Sequence, residues 1–255
     1  MVVYPNVKIN LGLSVLRRRP DGYHDIETLF VPYFGMTDVL EIVPSDKLRF
    51  VASDNVTWQD DLTLRAYSLL KSDFDLPPVE IRLEKRSAVG AGLGGGSADA
   101  AFTLMALTEM FQLGLEDWQL ADYAACLGSD CPIFIYNRPM FGEGRGDVLS
   151  DYEIDLSDYE IRVEVPEGVH VSTSEAYSRV IPRDRVALPP LREALRYPVM
   201  MWPDVLFNDF ESSVFPIYPA VEALKKRFYA DGAVYASMSG SGSAVFGLFK
   251  RKLYL

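Results

Sequence analysis

Ala88-Val89-Gly90-Ala91-Gly92-Leu93-Gly94-Gly95-Gly96-Ser97 is the stretch on which the reading of the fold turns. It places five glycines in seven positions, and each costs chain entropy that only positive φ or close approach to a ligand offsets. Before it, Val79-Glu80-Ile81-Arg82-Leu83-Glu84-Lys85 alternates apolar and charged residues, the period of a half-exposed strand. After it, Ser97 to Phe111 carries Ala98, Ala101, Leu104, Met105 and Phe111 at helical spacing. A strand, a glycine loop and a helix N-terminus in succession make a nest of backbone N–H groups suited to phosphate. Ser97 is placed to cap that helix or to reach a phosphate-bound cation. No Gly-Lys-Ser/Thr follows, so this is not a Walker A loop, and the glycine spacing is a poor dinucleotide fingerprint.

Outward from the loop, Val2 to Val15 reads as a strand in which Lys8 and Asn10 share one face. Arg17 to Gly22 is a turn, since Pro20 and Asp21-Gly22 supply its backbone angles. Ile26–Phe34, Asp38–Val43 and Leu48–Val51 read as strands. Leu62–Lys71 and Asp117–Leu127 read as helices, the second closed by Gly128. An acidic, linker-like stretch, Ser150–Asp158, precedes a strand at Tyr159–Val165 and helices at Ser172–Val180 and Val221–Tyr229. Val234–Met238 and Ala244–Phe249 read as strands around Ser239-Gly240-Ser241-Gly242-Ser243. The expectation is an α+β chain in two parts, 1–154 and 155–255.

The chain has 25 basic and 36 acidic residues and a net charge of −11, which disfavours nucleic acid as a partner. A nucleotide must then be held locally, by backbone N–H groups, a metal and a few lysines. Cys126 and Cys131, the only cysteines, have neither a second pair nor a nearby His, so neither a disulfide framework nor a zinc site is indicated. Met1 to Lys8 lacks a leader pattern. No apolar run approaches the ~20 residues of a membrane span. A cytoplasmic protein without membrane attachment is expected.

Three stretches in order carry a resemblance. Gly90 to Ala101 is similar to the second motif of the GHMP kinases, Lys8-Ile9-Asn10-Leu11 resembles their first, and Ser237 to Phe246 their third. Within that superfamily, Arg19-Pro20-Asp21-Gly22-Tyr23-His24, Leu127 to Phe134 and Asn208-Asp209-Phe210-Glu211 resemble segments of the kinases acting on 4-diphosphocytidyl-2-C-methyl-D-erythritol. The resemblance implies a two-domain GHMP kinase fold. Its N-terminal domain is ribosomal protein S5 domain 2-like, its C-terminal domain ferredoxin-like, and its active site lies in the cleft between them. It implies phosphorylation of a hydroxyl by ATP with Mg²⁺, on a small-molecule substrate, cytidine diphosphate-linked methylerythritol, by a monomer or weak homodimer.

By the same resemblance Lys8 and Asp130 are the catalytic pair. A carboxylate on the ordered turn before Pro132 can take or orient the hydroxyl proton, and Lys8 offsets charge on the transferred phosphoryl group. ATP is expected on Lys85, Ala88, Val89, Gly90, Ala91, Gly92, Leu93, Gly94, Gly95, Gly96, Ser97 and Ala98, with Ser97 as the protein ligand to Mg²⁺. The substrate is expected on Asn10, Tyr23, His24, Phe30, Tyr177, Gly240 and Ser241. Ala88 stands where the family usually has proline, which loosens the start of the loop, and Asp61 where Asn is common near adenine. His170 reads as a surface or strand-end residue. Two other readings stay open: another GHMP small-molecule kinase (for mevalonate, phosphomevalonate or homoserine), and a nucleotide-binding regulator without activity.

Overall fold

The computed structural model describes residues 1–53, 61–181 and 188–251. Its strands are β1 (Val2–Val3), β2 (Asn6–Arg18), β3 (His24–Thr37), β4 (Val39–Pro44), β5 (Arg49–Ala52), β6 (Val79–Glu84), β7 (Met140–Glu143), β8 (Val148–Asp151), β9 (Tyr159–Glu164), β10 (Tyr235–Met238) and β11 (Val245–Lys250). Its helices are α1 (Leu62–Asp73), α2 (Gly95–Met110), α3 (Asp117–Leu127), α4 (Pro132–Tyr136), α5 (Thr173–Arg179), α6 (Leu191–Ala194), α7 (Trp202–Val205), α8 (Glu211–Val214) and α9 (Pro219–Ala230), with a 3-10 turn at Val199–Met201. They pack as two compact units, each discontinuous in sequence. Met1–Lys8, Pro32–Val89 and Gly94–Arg138 form the first; Ile9–Val31, Gly90–Leu93 and Pro139–Leu255 form the second. A single cut at residue 154 does not follow these packing units, because β2 and β3 run from one into the other.

The first unit is built on the sheet β1-β4-β6-β5. Period-two alternation decides its faces: Leu40, Ile42, Ile81 and Leu83 are buried, whereas Glu41 and Arg82 stand opposite in register and pair at 2.7 Å. Helices α1 and α2 pack on one another, and α2 lies against β4. Ala98, Ala100 and Ala101 let α2 approach closely, and Leu104 and Leu107 fill the space beyond. Asp61 caps α1, its carboxylate accepting from the Thr63 N–H at 2.8 Å. That cap is a structural task for the residue the sequence placed near adenine.

The second unit contains the antiparallel sheet β10-β11-β9, over which amphipathic α9 lays Val221, Leu224 and Phe228. Gly247 on β11 leaves room for an aromatic ring; a Cβ there would stand 2.8 Å from Phe228 Cδ2. A further sheet has the order β2-β3-β7-β8, with Thr28, Leu29 and Phe30 opposite Gly142, Phe141 and Met140.

Three local readings change. Val2 to Val15 is not one strand, since Tyr4-Pro5 separates β1 from β2 and Pro5 has no N–H for a ladder. From Asn6 to Val15 every residue of β2 is buried, so the face shared by Lys8 and Asn10 is interior. Helix α2 begins at Gly95, with Gly94 (φ 73°) as its N-cap, so Ser97 lies inside the first turn and caps nothing.

Candidate active site

Lys8 reaches the interior from β2 and ends 3.3 Å from Asp130 Oδ2. The lysine side chain is 3% exposed and the aspartate 35%, so a desolvated ammonium faces a carboxylate open to one side. Asp130 sits in the short link between the C-cap of α3, Gly128, and the N-cap of α4, Cys131. Pro132 at the first helical position and the Cys131 N–H donating to Gly128 O at 3.1 Å hold that link. Cys131 beside it is fully buried. Burial pushes its thiol up to about 12, with the charge of Asp130 adding to the rise and a hydrogen bond with Ser97 opposing it. Cys126 and Cys131 are both free thiols.

The glycine loop alternates. Ala91 and Leu93 are buried anchors, while Val89, Gly90 and Gly96 face outward. Positive φ at Gly90, Gly92 and Gly94 is what the alternation needs. At Gly94 a Cβ would stand 3.0 Å from Phe134 Cζ and 3.2 Å from Lys8 Cε, so the lysine stem passes directly beneath the loop. At Gly90 a Cβ would meet the His170 ring at 2.6 Å, which puts that exposed histidine against the start of the loop. The N-cap of α2 has no side-chain partner, leaving the first-turn N–H groups without a side-chain acceptor of the capping kind.

The start of the loop is held by Asp38, between β3 and β4. Its Oδ1 accepts the N–H groups of Arg86 (2.6 Å) and Ser87 (2.7 Å); its Oδ2 accepts Ser87 Oγ (2.7 Å) and Lys85 Nζ (2.5 Å). Ala88 therefore does not leave this end of the loop loose. Lys85 Nζ also donates to Asp99 Oδ2 at 2.7 Å. Burial pushes Asp38 up, but Lys85 and Ser87 outweigh it and its carboxyl lies below the usual range. In Asp99 burial wins, and the carboxyl is pushed up to about 7 despite Lys85.

In the second unit, the segment Ser239–Ala244 backs Gly90–Leu93. Ser239 Oγ donates to Gly92 O at 3.0 Å, and the Ala244 N–H donates to Ala91 O at 3.0 Å. A Cβ at Gly92 would run into the Ser239 carbonyl, and one at Gly240 would stand 3.0 Å from Gly92 O. Gly240 thus packs on the loop. Ser241 Oγ lies 3.1 Å from Thr173 Oγ1. Asn10 donates from Nδ2 to Thr28 Oγ1 (3.1 Å), and its Oδ1 accepts from Ser239 Oγ (3.4 Å).

Asn208-Asp209-Phe210-Glu211 is a clamp on the same segment. Asn208 Nδ2 donates to Met238 O and Gly240 O, both at 2.8 Å, and Glu211 Oε1 accepts the Met238 N–H at 2.9 Å. Asp209 Oδ2 accepts the Val15 N–H at 2.8 Å. These polar groups are buried, so each partner is needed.

The expected aromatic cluster forms in part. His24 stacks on Tyr177 with centroids 5.0 Å apart, and Tyr177 meets Phe210 edge-on at 4.7 Å. Burial, with Arg18 adding, holds the His24 imidazole below its ordinary range. Tyr23 is 57% exposed, and the Arg145 guanidinium lies 5.1 Å over its ring. Phe30 is 1% exposed and packs against Gly142 and Gly146, a core position in its sheet.

Family models match in two places: GHMP kinases N terminal domain at residues 61–138 and GHMP kinases C terminal at residues 199–253. Full-length kinship decides between the members. The 4-diphosphocytidyl-2-C-methyl-D-erythritol kinase of Bacteroides fragilis is 48% identical over 98% of this chain and 92% of its own. The chain belongs to this family of GHMP kinases. The kinase of the same name from Cytophaga hutchinsonii is also 48% identical, over 99% of this chain and 93% of its own. A crystal structure of 4-(cytidine 5'-diphospho)-2C-methyl-D-erythritol kinase superposes with a TM-score of 0.77 at 34% identity, covering 97% of this chain and 90% of that one. Homoserine kinase from Cytophaga hutchinsonii, at 16% identity and a TM-score of 0.66 over 97% and 86% of the chains, shares the fold.

The fold is the two-domain GHMP kinase fold, of mixed α and β content, and ATP is the phosphoryl donor that GHMP kinases use. Among the described residues no helix is long and apolar enough to cross a membrane. Asp38, Thr28, Arg145 and His170 are the residues at or beside these elements that sequence reasoning missed. Asp38 had one faint signal: an acidic residue at the start of an expected strand, which the fold buries completely.

Proposed function

We propose that the chain transfers the terminal phosphoryl group of ATP to a hydroxyl of 4-diphosphocytidyl-2-C-methyl-D-erythritol, giving the 2-phosphate and ADP, in the non-mevalonate route to isoprenoid precursors. The observation that carries it is the Lys8–Asp130 pair beneath the glycine loop, 3.3 Å apart. As the substrate oxygen forms its bond to the γ-phosphorus, the bond to the β-phosphate oxygen breaks and the hydroxyl proton leaves. Asp130, open on one side, accepts or orients that proton. Lys8, desolvated, offsets the negative charge spreading over the phosphoryl oxygens.

Residues 88–98 cradle the phosphates through backbone N–H groups and the start of α2. Among the described residues no three His, Cys, Asp or Glu side chains cluster to hold a metal. The Ser97 hydroxyl, in the first turn of α2, would help to hold Mg²⁺ brought in by the nucleotide. When bound it neutralises phosphate charge. The cytidine end is read by Tyr23, His24, Phe30 and Tyr177, while Asn10, Gly240 and Ser241 bind the rest of the substrate. The enzyme acts in the cytoplasm, as a monomer or weak homodimer.

ADP release tests the reading. With ATP and Mg²⁺, the cytidine diphosphate substrate supports turnover; mevalonate and homoserine do not. Turnover of either of those alone overturns the assignment.

A further inference from the structure

The network Asp38–Lys85–Asp99 has no part in the chemistry above, yet it is the most heavily buried ionic cluster beside the loop. Asp38 and Asp99 are 0% and 2% exposed, and the Lys85 ammonium lies between them at 2.5 and 2.7 Å. Asp38 also holds the Arg86 and Ser87 N–H groups and the Ser87 hydroxyl. Asp99 belongs to α2, one turn beyond its start. The lysine therefore joins the strand end before the loop to the helix after it. Gly95 makes room for this crossing: a Cβ there would run into Ser87 Oγ and stand 2.9 Å from Lys85 Nζ.

A lysine at this place in a phosphate-binding segment suggests a direct ligand to ATP, and the charge arithmetic argues otherwise. Were the ammonium to swing toward a phosphate, two buried carboxylates would be left facing each other without a cation. Asp99 Oδ1 already has no hydrogen-bond partner among the described residues, so this carboxylate has no second donor to fall back on.

We propose that Lys85 is a positioning residue, not a nucleotide ligand: with Asp38 and Asp99 it forms a strut that fixes both ends of the phosphate loop before ATP arrives. This rests on the reading of residues 88–98 as the ATP cradle. The strut acts on nucleotide affinity through preorganisation, and leaves the cytidine substrate to other groups.

The two roles for Lys85 predict opposite signs for Asp38→Asn. If the lysine is a ligand, the substitution frees it and affinity for a non-hydrolysable ATP analogue is unchanged or improved. If it is a strut, affinity falls roughly tenfold while KM for the cytidine substrate stays near wild type. Lys85→Met should lose a similar factor, and Asp38→Asn/Lys85→Met should lose little more than either single change. Calorimetry gives the affinities and thermal unfolding confirms that the variants fold.

Should Asp38→Asn not fold, hydrogen exchange of the Arg86 and Ser87 amides in nucleotide-free Lys85→Met decides the matter. Faster exchange supports the strut, and unchanged exchange overturns it. Wild-type protein that fails to bind the analogue would instead refute the cradle reading.

Discussion

Lys8 and Asp130 meet at 3.3 Å although 122 positions separate them in the chain, and the lysine side chain is 3% exposed against 35% for the aspartate. Removing the carboxylate takes this contact from a buried ammonium; removing the ammonium leaves an accessible carboxylate. Asp130→Asn keeps the shape and takes away the proton acceptor. The expected result is a fall in kcat of about 10²–10⁴-fold with affinity for an ATP analogue preserved. Single-turnover kinetics and calorimetry check the two halves of that statement.

Gly94 and Gly96 separate the loop's structural role from the ligand role proposed for it. Gly94→Ala imposes positive φ on a side chain and presses on Phe134 and Lys8. It should cost roughly 1–3 kcal/mol of stability and lower kcat by displacing Lys8. Gly96 has only Leu62 Cδ1 near a Cβ, at 3.9 Å, and is exposed in the first turn of α2. Gly96→Ala should leave the melting temperature equal or slightly higher, so that any loss of ATP affinity reports the ligand-facing side alone.

Asn208 donates to two carbonyls from a fully buried side chain. Asn208→Ala strands both acceptors and should cost about 2–4 kcal/mol. Because Met238 and Gly240 flank Ser239, which supports Gly92, the variant should also bind ATP more weakly. Chemical denaturation measures the first effect and analogue titration the second.

The His24 imidazole is held below its ordinary range by burial, and by Arg18. A depressed imidazole contributes stability above its unfolded value, and that contribution is lost as pH falls through that value toward the folded one. KM for the cytidine substrate should therefore stay level from about pH 7 upward and rise under mild acid. His24→Gln should remove the acid limb of the profile; an acid limb that survives assigns it to another group.

Regular elements with a clear period were legible in the sequence. Helices α2 and α3 and strands β4, β6 and β11 lie within two residues of their expected places. The short pieces were not, since the four-residue strands β7 and β8 and the five-residue α4 hold too few positions for a period to show. Ser97 reads as the helix start because three glycines precede it, although glycine costs little in a first turn whose N–H groups have no intrahelical partner. The alternation of β2 gave the shared face of Lys8 and Asn10 but not its burial, which depends on elements remote in sequence. Asp38 shows the same limit: its partners lie 47 to 49 residues away, and nothing local announces them.

The bonds from Ser239 and Ala244 to Gly92 and Ala91 have a consequence for the order of events during synthesis. The partners Ser239 and Gly92 are 147 residues apart. At ~5–20 residues per second a ribosome needs about seven to thirty seconds to cover that interval. Throughout it the carbonyls of Ala91 and Gly92 lack the Ala244 N–H and the Ser239 hydroxyl that hold them in the folded chain. A nascent chain therefore cannot set this stretch in its folded arrangement until residue 244 has left the exit tunnel.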